Sequence, residues 1–291
     1  MNPSVRKLFE LPRLNAYRRP APLILVNGLA EQSESWFANR NPWSRHFDVK
    51  VPELLVYDGA SLHKRIDAGG EITVDYLTDR LADYLDEYVQ RPPYNLVASS
   101  LGGQIILTYA TRHPEKVAHL ALICPSGLHG DENLPMMEGV RRSQYDTLVK
   151  SVFHRAHFAN DALVGAIARK FQDRNWKKGV LRTLRGTVGH SVAPLLPVVA
   201  PPTLLIWGEN DRVISDVAGS VRAANQILRV RQVVIPKCGH APQIEKSRLV
   251  NQLVSRFCRD KLKNIPPALD PARFLAKQER RNRLRMPQKS H

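Results

Sequence analysis

Short apolar runs alternate with longer amphipathic segments along most of the chain. The segment 73–89 places apolar residues three and four positions apart, which is typical of a helix with one buried face, and Thr73 is its predicted N-cap. Runs of apolar residues bounded by turn residues predict buried strands. These runs lie within PLILVNGLA (22–30), HFDVKVPELLVYDGAS (46–61), NLVA (95–98), HLALIC (119–124), TLLIWG (203–208) and QVVIP (232–236). The pattern therefore predicts an α/β fold, with a mostly parallel sheet covered by helices on both faces.

The alternation breaks between Gly127 and Pro194, where the chain is polar, basic and helical in pattern. We interpret this stretch as a helical insertion between two strands. The last thirty residues are rich in charge and poor in apolar partners, which favours a flexible arm. The predicted organisation is a core of residues 21–126 and 196–260, a helical cap of 127–195, a basic N-terminal segment of 1–20 and a basic tail of 261–291.

The net charge of +16 is concentrated outside the predicted core. Basic groups outnumber acidic ones by five to one in residues 1–20, eleven to six in 127–195 and ten to three in 259–291. Solvated ends explain this excess more simply than nucleic-acid binding, because no nucleic-acid-binding motif accompanies it. The basic groups of the cap favour an anionic substrate or an acidic carrier.

We expect a cytoplasmic protein without a transmembrane segment. No apolar run approaches the roughly 20 residues that a membrane helix needs, and the basic N-terminus has no continuous apolar stretch of the signal-peptide kind. The cysteines Cys124, Cys238 and Cys258 are odd in number and lack metal-type spacing. They predict small buried side chains in a reducing compartment, with no disulfide and no metal site.

The stretch ASSLGG (98–103) is a candidate nucleophile turn between a strand and a helix. A serine on such a cramped turn needs small residues two positions before and after it, because the backbone folds back on itself. For Ser100 these positions hold Ala98 and Gly102, which are both small. For Ser99 they hold bulky residues. Sterics therefore favour Ser100 as the nucleophile.

A serine nucleophile needs a base, an orienting carboxylate and oxyanion donors. Asp211 and His240 each follow a predicted strand, so both should lie at the edge of the sheet where Ser100 emerges. Asp216 is an alternative acid further from the strand end. The backbone N–H groups of Leu101 and of Leu29, on the loop after the first strand, are the candidate oxyanion donors.

These motifs resemble the α/β-hydrolase fold superfamily. ASSLGG is similar to its nucleophile elbow, TLLIWGENDRVI (203–214) to its acid-bearing segment and PKCGHAPQIEKSRLV (236–250) to its histidine loop. Two positions depart from the family pattern: Ala98 replaces a glycine of the elbow, and Asn27 replaces a histidine of the oxyanion loop. The LVNG loop with this elbow also resembles an acyltransferase-like branch that makes the lipid part of rhamnolipids.

The resemblance implies a serine hydrolase that cleaves an ester, thioester or related acyl bond without a metal or organic cofactor. Acyl transfer to an alcohol or amine and carbon–carbon bond hydrolysis are the alternatives. Ala241 after the histidine disfavours the latter, because relatives that cleave ring-fission diketones often carry an aromatic residue there. The partner is a small-molecule acyl substrate, and the cap residues Met136, Met137 and Tyr145 are candidates to bind it.

Overall fold

The sheet that the sequence predicts is present in the computed structural model, which describes residues 20–129, 139 and 142–285. In this part of the chain six strands form one parallel sheet in the order β2-β1-β3-β4-β5-β6. This confirms the predicted α/β fold class. The strands are β1 (Pro22–Val26), β2 (Asp48–Lys50), β3 (Tyr94–Ser99), β4 (Val117–Ile123), β5 (Thr203–Gly208) and β6 (Val230–Ile235).

The central strands are apolar along their whole length because both faces of the sheet are covered. Successive side chains of a strand point to opposite faces. Ile24 accordingly packs in the core on one face, whereas Leu23 and Leu25 pack in the core on the other. The strands are parallel, so their carboxyl ends share one edge of the sheet.

Helices cover both faces. Thr73 caps its helix as predicted, since its side chain accepts a hydrogen bond from the Tyr76 N–H at 3.1 Å. The helices are α1 (Arg40–Ser44), α2 (Ala60–Asp67), α3 (Val74–Tyr84), α4 (Leu101–Arg112), α5 (Tyr145–Val152), α6 (Asp161–Gln172), α7 (Arg174–Thr187), α8 (Val217–Ala224), α9 (Pro242–Glu245), α10 (Ser247–Phe257) and α11 (Pro271–Arg285). Shorter helical turns occupy Ser33–Trp36, Leu85–Val89, Pro114–Lys116, Ala156–Phe158, Ala193–Val198 and Pro267–Leu269.

Helices α5, α6 and α7 lie between β4 and β5, in the segment predicted as the cap. Helix α7 approaches the core closely at its glycines. A Cβ on Gly179 would lie 2.2 Å from the backbone oxygen of Tyr57, and one on Gly186 would lie 2.4 Å from that of Ile72. Side chains at these two positions would force α7 away from the core.

The C-terminal segment differs from the flexible arm expected there. Residues 271–285 form helix α11, in which Phe274 is buried, and the preceding Leu269 is buried as well. Lys277 pairs with Glu209 beyond β5 at 2.5 Å. This packing could not be predicted from the sequence, because the apolar partners of Leu269 and Phe274 lie far away along the chain. Among the described helices none is long and apolar enough to cross a membrane.

Candidate active site

Ser100 occupies a strained turn between β3 and α4. Its backbone has φ 49° and ψ −120°, a combination that residues other than glycine rarely adopt. Backbone hydrogen bonds hold this turn. The Ser100 N–H donates to the Ile123 carbonyl at 3.0 Å, and the Ser100 carbonyl accepts from the N–H groups of Gly103 at 2.9 Å and Ser126 at 3.3 Å. The turn is therefore fixed to the end of β4, and Ser100 lies at the carboxyl edge of the sheet.

The small residues after Ser100 allow this turn to pack against β1. A Cβ on Gly102 would lie 2.7 Å from the backbone oxygens of both Val26 and Asn27. A Cβ on Gly103 would lie 2.6 Å from the Pro125 side chain. Only glycine at position 102 thus lets the turn approach the loop that follows β1.

We expect Gly102→Ala to destabilise the fold by about 1–3 kcal/mol, because backbone atoms must move to admit the methyl group. Gly165→Ala is the matched control, since a Cβ there meets only the Arg169 side chain at 3.5 Å, within helix α6. It should stabilise the protein by about 0.5–1 kcal/mol. Urea unfolding measures both changes, and equal effects of the two substitutions would contradict this account of the turn.

His240 and Asp211 form a hydrogen-bonded pair beyond β6 and β5. The imidazole Nδ1 lies 2.8 Å from Asp211 Oδ2, and both side chains are buried. The other carboxylate oxygen accepts from the N–H groups of Val213 at 2.8 Å and Ile214 at 3.1 Å. Burial alone would raise the pKa of Asp211, but the charge and hydrogen bond of His240 and these two amides outweigh burial and hold that pKa below its ordinary value.

The pair lies at the same edge of the sheet as Ser100. Cys124 directly follows Ile123, whose carbonyl accepts from the Ser100 N–H, and its thiol lies within 4.8 Å of ligand atoms of both Asp211 and His240. Such a trio is spaced to hold a metal ion. Burial, however, raises the pKa of the Cys124 thiol well above its usual range, and His240 Nδ1 is already hydrogen-bonded. These features fit a hydrogen-bonded acid–histidine pair better than a metal site.

Asp216, the alternative acid, has another partner. Its carboxylate caps helix α8 by accepting from the Gly219 N–H at 2.7 Å, and it also lies 3.3 Å from His129. Asp211, not Asp216, is therefore the carboxylate beside His240.

Hydrogen bonds hold the predicted oxyanion loop (residues 27–31) from several sides. Trp36 Nε1 donates to Asn27 Oδ1 at 2.5 Å, so Asn27 anchors the loop. The Gly28 N–H donates to Glu31 Oε2 at 2.9 Å, and the Ala30 N–H donates to the Tyr57 hydroxyl at 2.9 Å. Within the described part of the chain neither the Leu29 nor the Leu101 N–H donates to another protein group. Both therefore remain available to a ligand.

Glu31 was not identified from the sequence, although it accepts a hydrogen bond from Ser99, the neighbour of the predicted nucleophile. Its Oε2 accepts from the Ser99 hydroxyl at 2.6 Å as well as from the Gly28 N–H. Ser99 thus has a structural partner of its own. A glutamate in a polar loop is too common for sequence reasoning to have singled it out.

A second carboxylate that sequence reasoning missed connects the cap to the histidine loop. Glu245 is buried and accepts from the N–H groups of Gly239 at 2.6 Å, His154 at 3.1 Å and Arg155 at 3.0 Å. The His240 N–H donates to the Val152 carbonyl of the cap at 2.7 Å. The position of His240 is therefore tied to the cap residues that end and follow helix α5.

A narrow cleft lies beside the turn at Ser100. Of the cap candidates for substrate binding, Tyr145 does not line it: its ring stacks on Phe171 with centroids 4.8 Å apart. Met136 and Met137 lie outside the described residues. The lining is formed by Asn27, Gly28, Glu31, Gln32, Pro52, Glu53, Leu54, Leu55, Val56, Tyr57, Leu77, Leu101 and Ile105.

The protein combines a parallel sheet, a strained serine turn, an acid–histidine pair and a helical insertion. This combination is typical of hydrolases with the α/β-hydrolase fold. The alpha/beta hydrolase family model matches residues 23–253, and the chain belongs to this family. The resemblance seen in the sequence is thereby confirmed, and the protein is a hydrolase.

Similar proteins include lipases and other hydrolases. A monoacylglycerol lipase of Xenopus laevis is 26% identical over 260 residues, which cover 81% of this chain and 74% of the lipase. The 2-hydroxy-6-oxo-6-phenylhexa-2,4-dienoate hydrolase of Comamonas testosteroni is 28% identical over 183 residues, covering 57% of this chain and 63% of that enzyme. The crystal structure of the enol-lactonase from Burkholderia xenovorans superposes with a TM-score of 0.69 at 20% identity, covering 83% of this chain and 92% of the lactonase.

Proposed function

We propose that the protein cleaves carboxylic esters, thioesters or related acyl bonds through an acyl-enzyme on Ser100. The observation that carries this proposal is the buried His240–Asp211 hydrogen bond of 2.8 Å, at the sheet edge where Ser100 occupies its strained turn. The nearby Leu29 and Leu101 N–H groups are the proposed oxyanion donors.

The proposed reaction has two halves. The Ser100 hydroxyl attacks the carbonyl carbon while His240 takes its proton, and Asp211 holds the imidazole in the required tautomer. The negative charge that develops on the carbonyl oxygen is held by the Leu29 and Leu101 amides, each worth ~3 kcal/mol in such sites. His240 then protonates the leaving alcohol. A water molecule next gives a proton to His240 as its oxygen attacks the acyl carbon. The bond between that carbon and Ser100 Oγ then breaks, His240 returns the proton to Oγ, and the acid is released.

Transfer of the acyl group is the competing function, because an alcohol or amine can replace water in the second half. The similarity to a monoacylglycerol lipase supports cleavage of an ester with an apolar acyl chain. The similarity to the Comamonas testosteroni hydrolase keeps carbon–carbon bond cleavage as an alternative. Ala241 disfavours carbon–carbon bond cleavage, because relatives that cleave ring-fission diketones often carry an aromatic residue after the histidine.

The proposed mechanism routes no step through a metal or an organic cofactor. We propose a cytoplasmic location and a small-molecule acyl substrate. Three buried free cysteines, Cys124, Cys238 and Cys258, support a reducing compartment. The carrier-bound substrate suggested by the basic cap remains a proposal.

Ester turnover with and without an acceptor tests this function. We expect purified protein to release p-nitrophenol from p-nitrophenyl esters of two to twelve acyl carbons, with a rate that falls at acid pH as the histidine protonates. If water is the natural acceptor, added ethanol or glycerol should leave the free fatty acid as the main product by mass spectrometry. A predominance of transferred acyl groups would establish transfer instead. No turnover of any ester by folded protein would refute the proposal.

A further inference from the structure

A carboxylate lies beside the proposed nucleophile and does not take part in the mechanism above. Glu31 is half-buried, and its Oε2 is fixed by the Gly28 N–H and the Ser99 hydroxyl. A Cβ built on Gly28 would lie 3.1 Å from Ser100 Cβ and 3.2 Å from Glu31 Cδ. The Glu31 carboxyl group and the Ser100 side chain therefore flank the same small space at Gly28.

The lining of the cleft combines acidic and apolar side chains. Glu31 and the exposed Glu53 line it, together with a wall formed by Leu54, Leu55, Leu77, Leu101 and Ile105. No lysine or arginine belongs to its lining within the described residues. The negative charge of Glu31 also contributes, after burial, to the raised pKa of Tyr57. The Tyr57 hydroxyl therefore keeps its proton at neutral pH.

Three lysines of the cap have polar partners outside the space at Gly28. Lys178 pairs with Asp67 on the surface at 2.6 Å, and Lys150 pairs with Asp146 of its own helix at 2.8 Å. Lys170 reaches the edge of the cleft, where its ammonium group binds Gln32 Oε1. Glu31, by contrast, places a negative charge beside the proposed nucleophile, whereas the basic cap groups favoured an anionic substrate.

We propose that Glu31 makes the site select against anionic substrates and favour an ester that is uncharged or cationic. The apolar wall takes the hydrocarbon part, and Glu31 accepts from hydroxyl or ammonium groups near the reacting carbonyl. A substrate carboxylate placed there meets a fixed negative charge in a half-buried site and loses affinity. This inference rests on the proposed function, because it assumes that Ser100 is the reacting group.

The test compares matched esters on the wild type and on Glu31→Gln, which keeps an oxygen to accept from Gly28 and Ser99 but removes the charge. The acyl-side pair is p-nitrophenyl hexanoate and the p-nitrophenyl monoester of adipic acid. The alcohol-side pair is hexanoylcholine and its neutral isostere, 3,3-dimethylbutyl hexanoate. For the wild type we expect kcat/KM for the anionic adipate monoester to be at least about tenfold below kcat/KM for p-nitrophenyl hexanoate. The kcat/KM for cationic hexanoylcholine should exceed that for neutral 3,3-dimethylbutyl hexanoate.

Glu31→Gln should shrink at least one of these two ratios by about fivefold or more, while p-nitrophenyl hexanoate is still turned over. Raising the salt concentration should shrink the wild-type ratios in the same direction, since the effect is electrostatic. Glu115→Gln, an exposed site after α4, removes the same charge far from the cleft and should leave both ratios as in the wild type.

Unchanged ratios in Glu31→Gln, or an equal change in Glu115→Gln, would overturn the inference while leaving the proposed function intact. Failure of every ester in the wild type would instead refute the proposed function itself. The two failures are therefore distinguishable in one set of assays.

Discussion

Replacing Ser100 with alanine should reduce ester turnover by about four to six orders of magnitude, because no other group can form the covalent acyl intermediate. The fold should persist, since the turn is held by the backbone bonds to Ile123 and Ser126 and not by the side chain. Steady-state kinetics with a p-nitrophenyl ester measure the first effect, and urea unfolding measures the second.

Ser99→Ala is the matched comparison. It removes the hydroxyl that binds Glu31 but leaves the proposed nucleophile in place. We expect this variant still to turn over esters, with at most about a tenfold loss, since one hydrogen bond to a charged group is worth ~1.5–3 kcal/mol and only part of that loss reaches the reacting carbonyl. A larger loss for Ser99→Ala than for Ser100→Ala would show that the nucleophile had been misassigned.

Asp211→Asn should lower kcat by about four orders of magnitude with little change in KM. The amide is nearly isosteric with the carboxylate, but it cannot hold the imidazole in the tautomer that accepts the serine proton or stabilise the imidazolium that follows. A pre-steady-state measurement of acylation gives the cleanest value, since it reports the step in which His240 acts as a base.

Asp216→Asn is its matched control, because asparagine caps helices about as well as aspartate. Turnover by this variant should stay within about threefold of the wild type. Its unfolding midpoint should also change little. A severe loss in Asp216→Asn together with a mild one in Asp211→Asn would contradict the assignment of the acid.

The lowered pKa of Asp211 adds a dependence of stability on pH. The pKa of Asp211 is lower in the folded than in the unfolded state, where it is about 3.9. The ionised carboxylate therefore stabilises the fold at a pH above its unfolded pKa. This contribution is lost as the pH falls through the lower folded pKa. The difference in unfolding free energy between wild type and Asp211→Asn should therefore shrink from about pH 5 to about pH 3.

The sheet and the acid–histidine pair could be predicted from the sequence because local patterns determine them. Each central strand is a short apolar run, and Asp211 and His240 directly follow such runs. Parallel pairing then brings the strand ends to one edge. The turn at Ser100 could also be predicted, because the steric requirement for small residues is local and Gly102 meets it.

Two further carboxylates, Glu31 and Glu245, could not be predicted because their roles depend on contacts across the chain. A hydrogen bond from the Ser99 hydroxyl positions Glu31. Hydrogen bonds from cap amides about ninety positions away position Glu245. Helix α11 was missed for the same reason, since Phe274 is buried against elements distant in sequence. Composition alone made that segment resemble a flexible, basic arm.

The most direct measurement is the site of covalent labelling by a fluorophosphonate, which reacts with activated serines. The proposed function requires a serine hydroxyl made nucleophilic by His240 and Asp211 at one edge of the sheet. We therefore expect a single adduct on the peptide that contains Ser100, absent in Ser100→Ala and strongly reduced in His240→Ala. An adduct on Ser99, or folded protein that takes up no label, would contradict it.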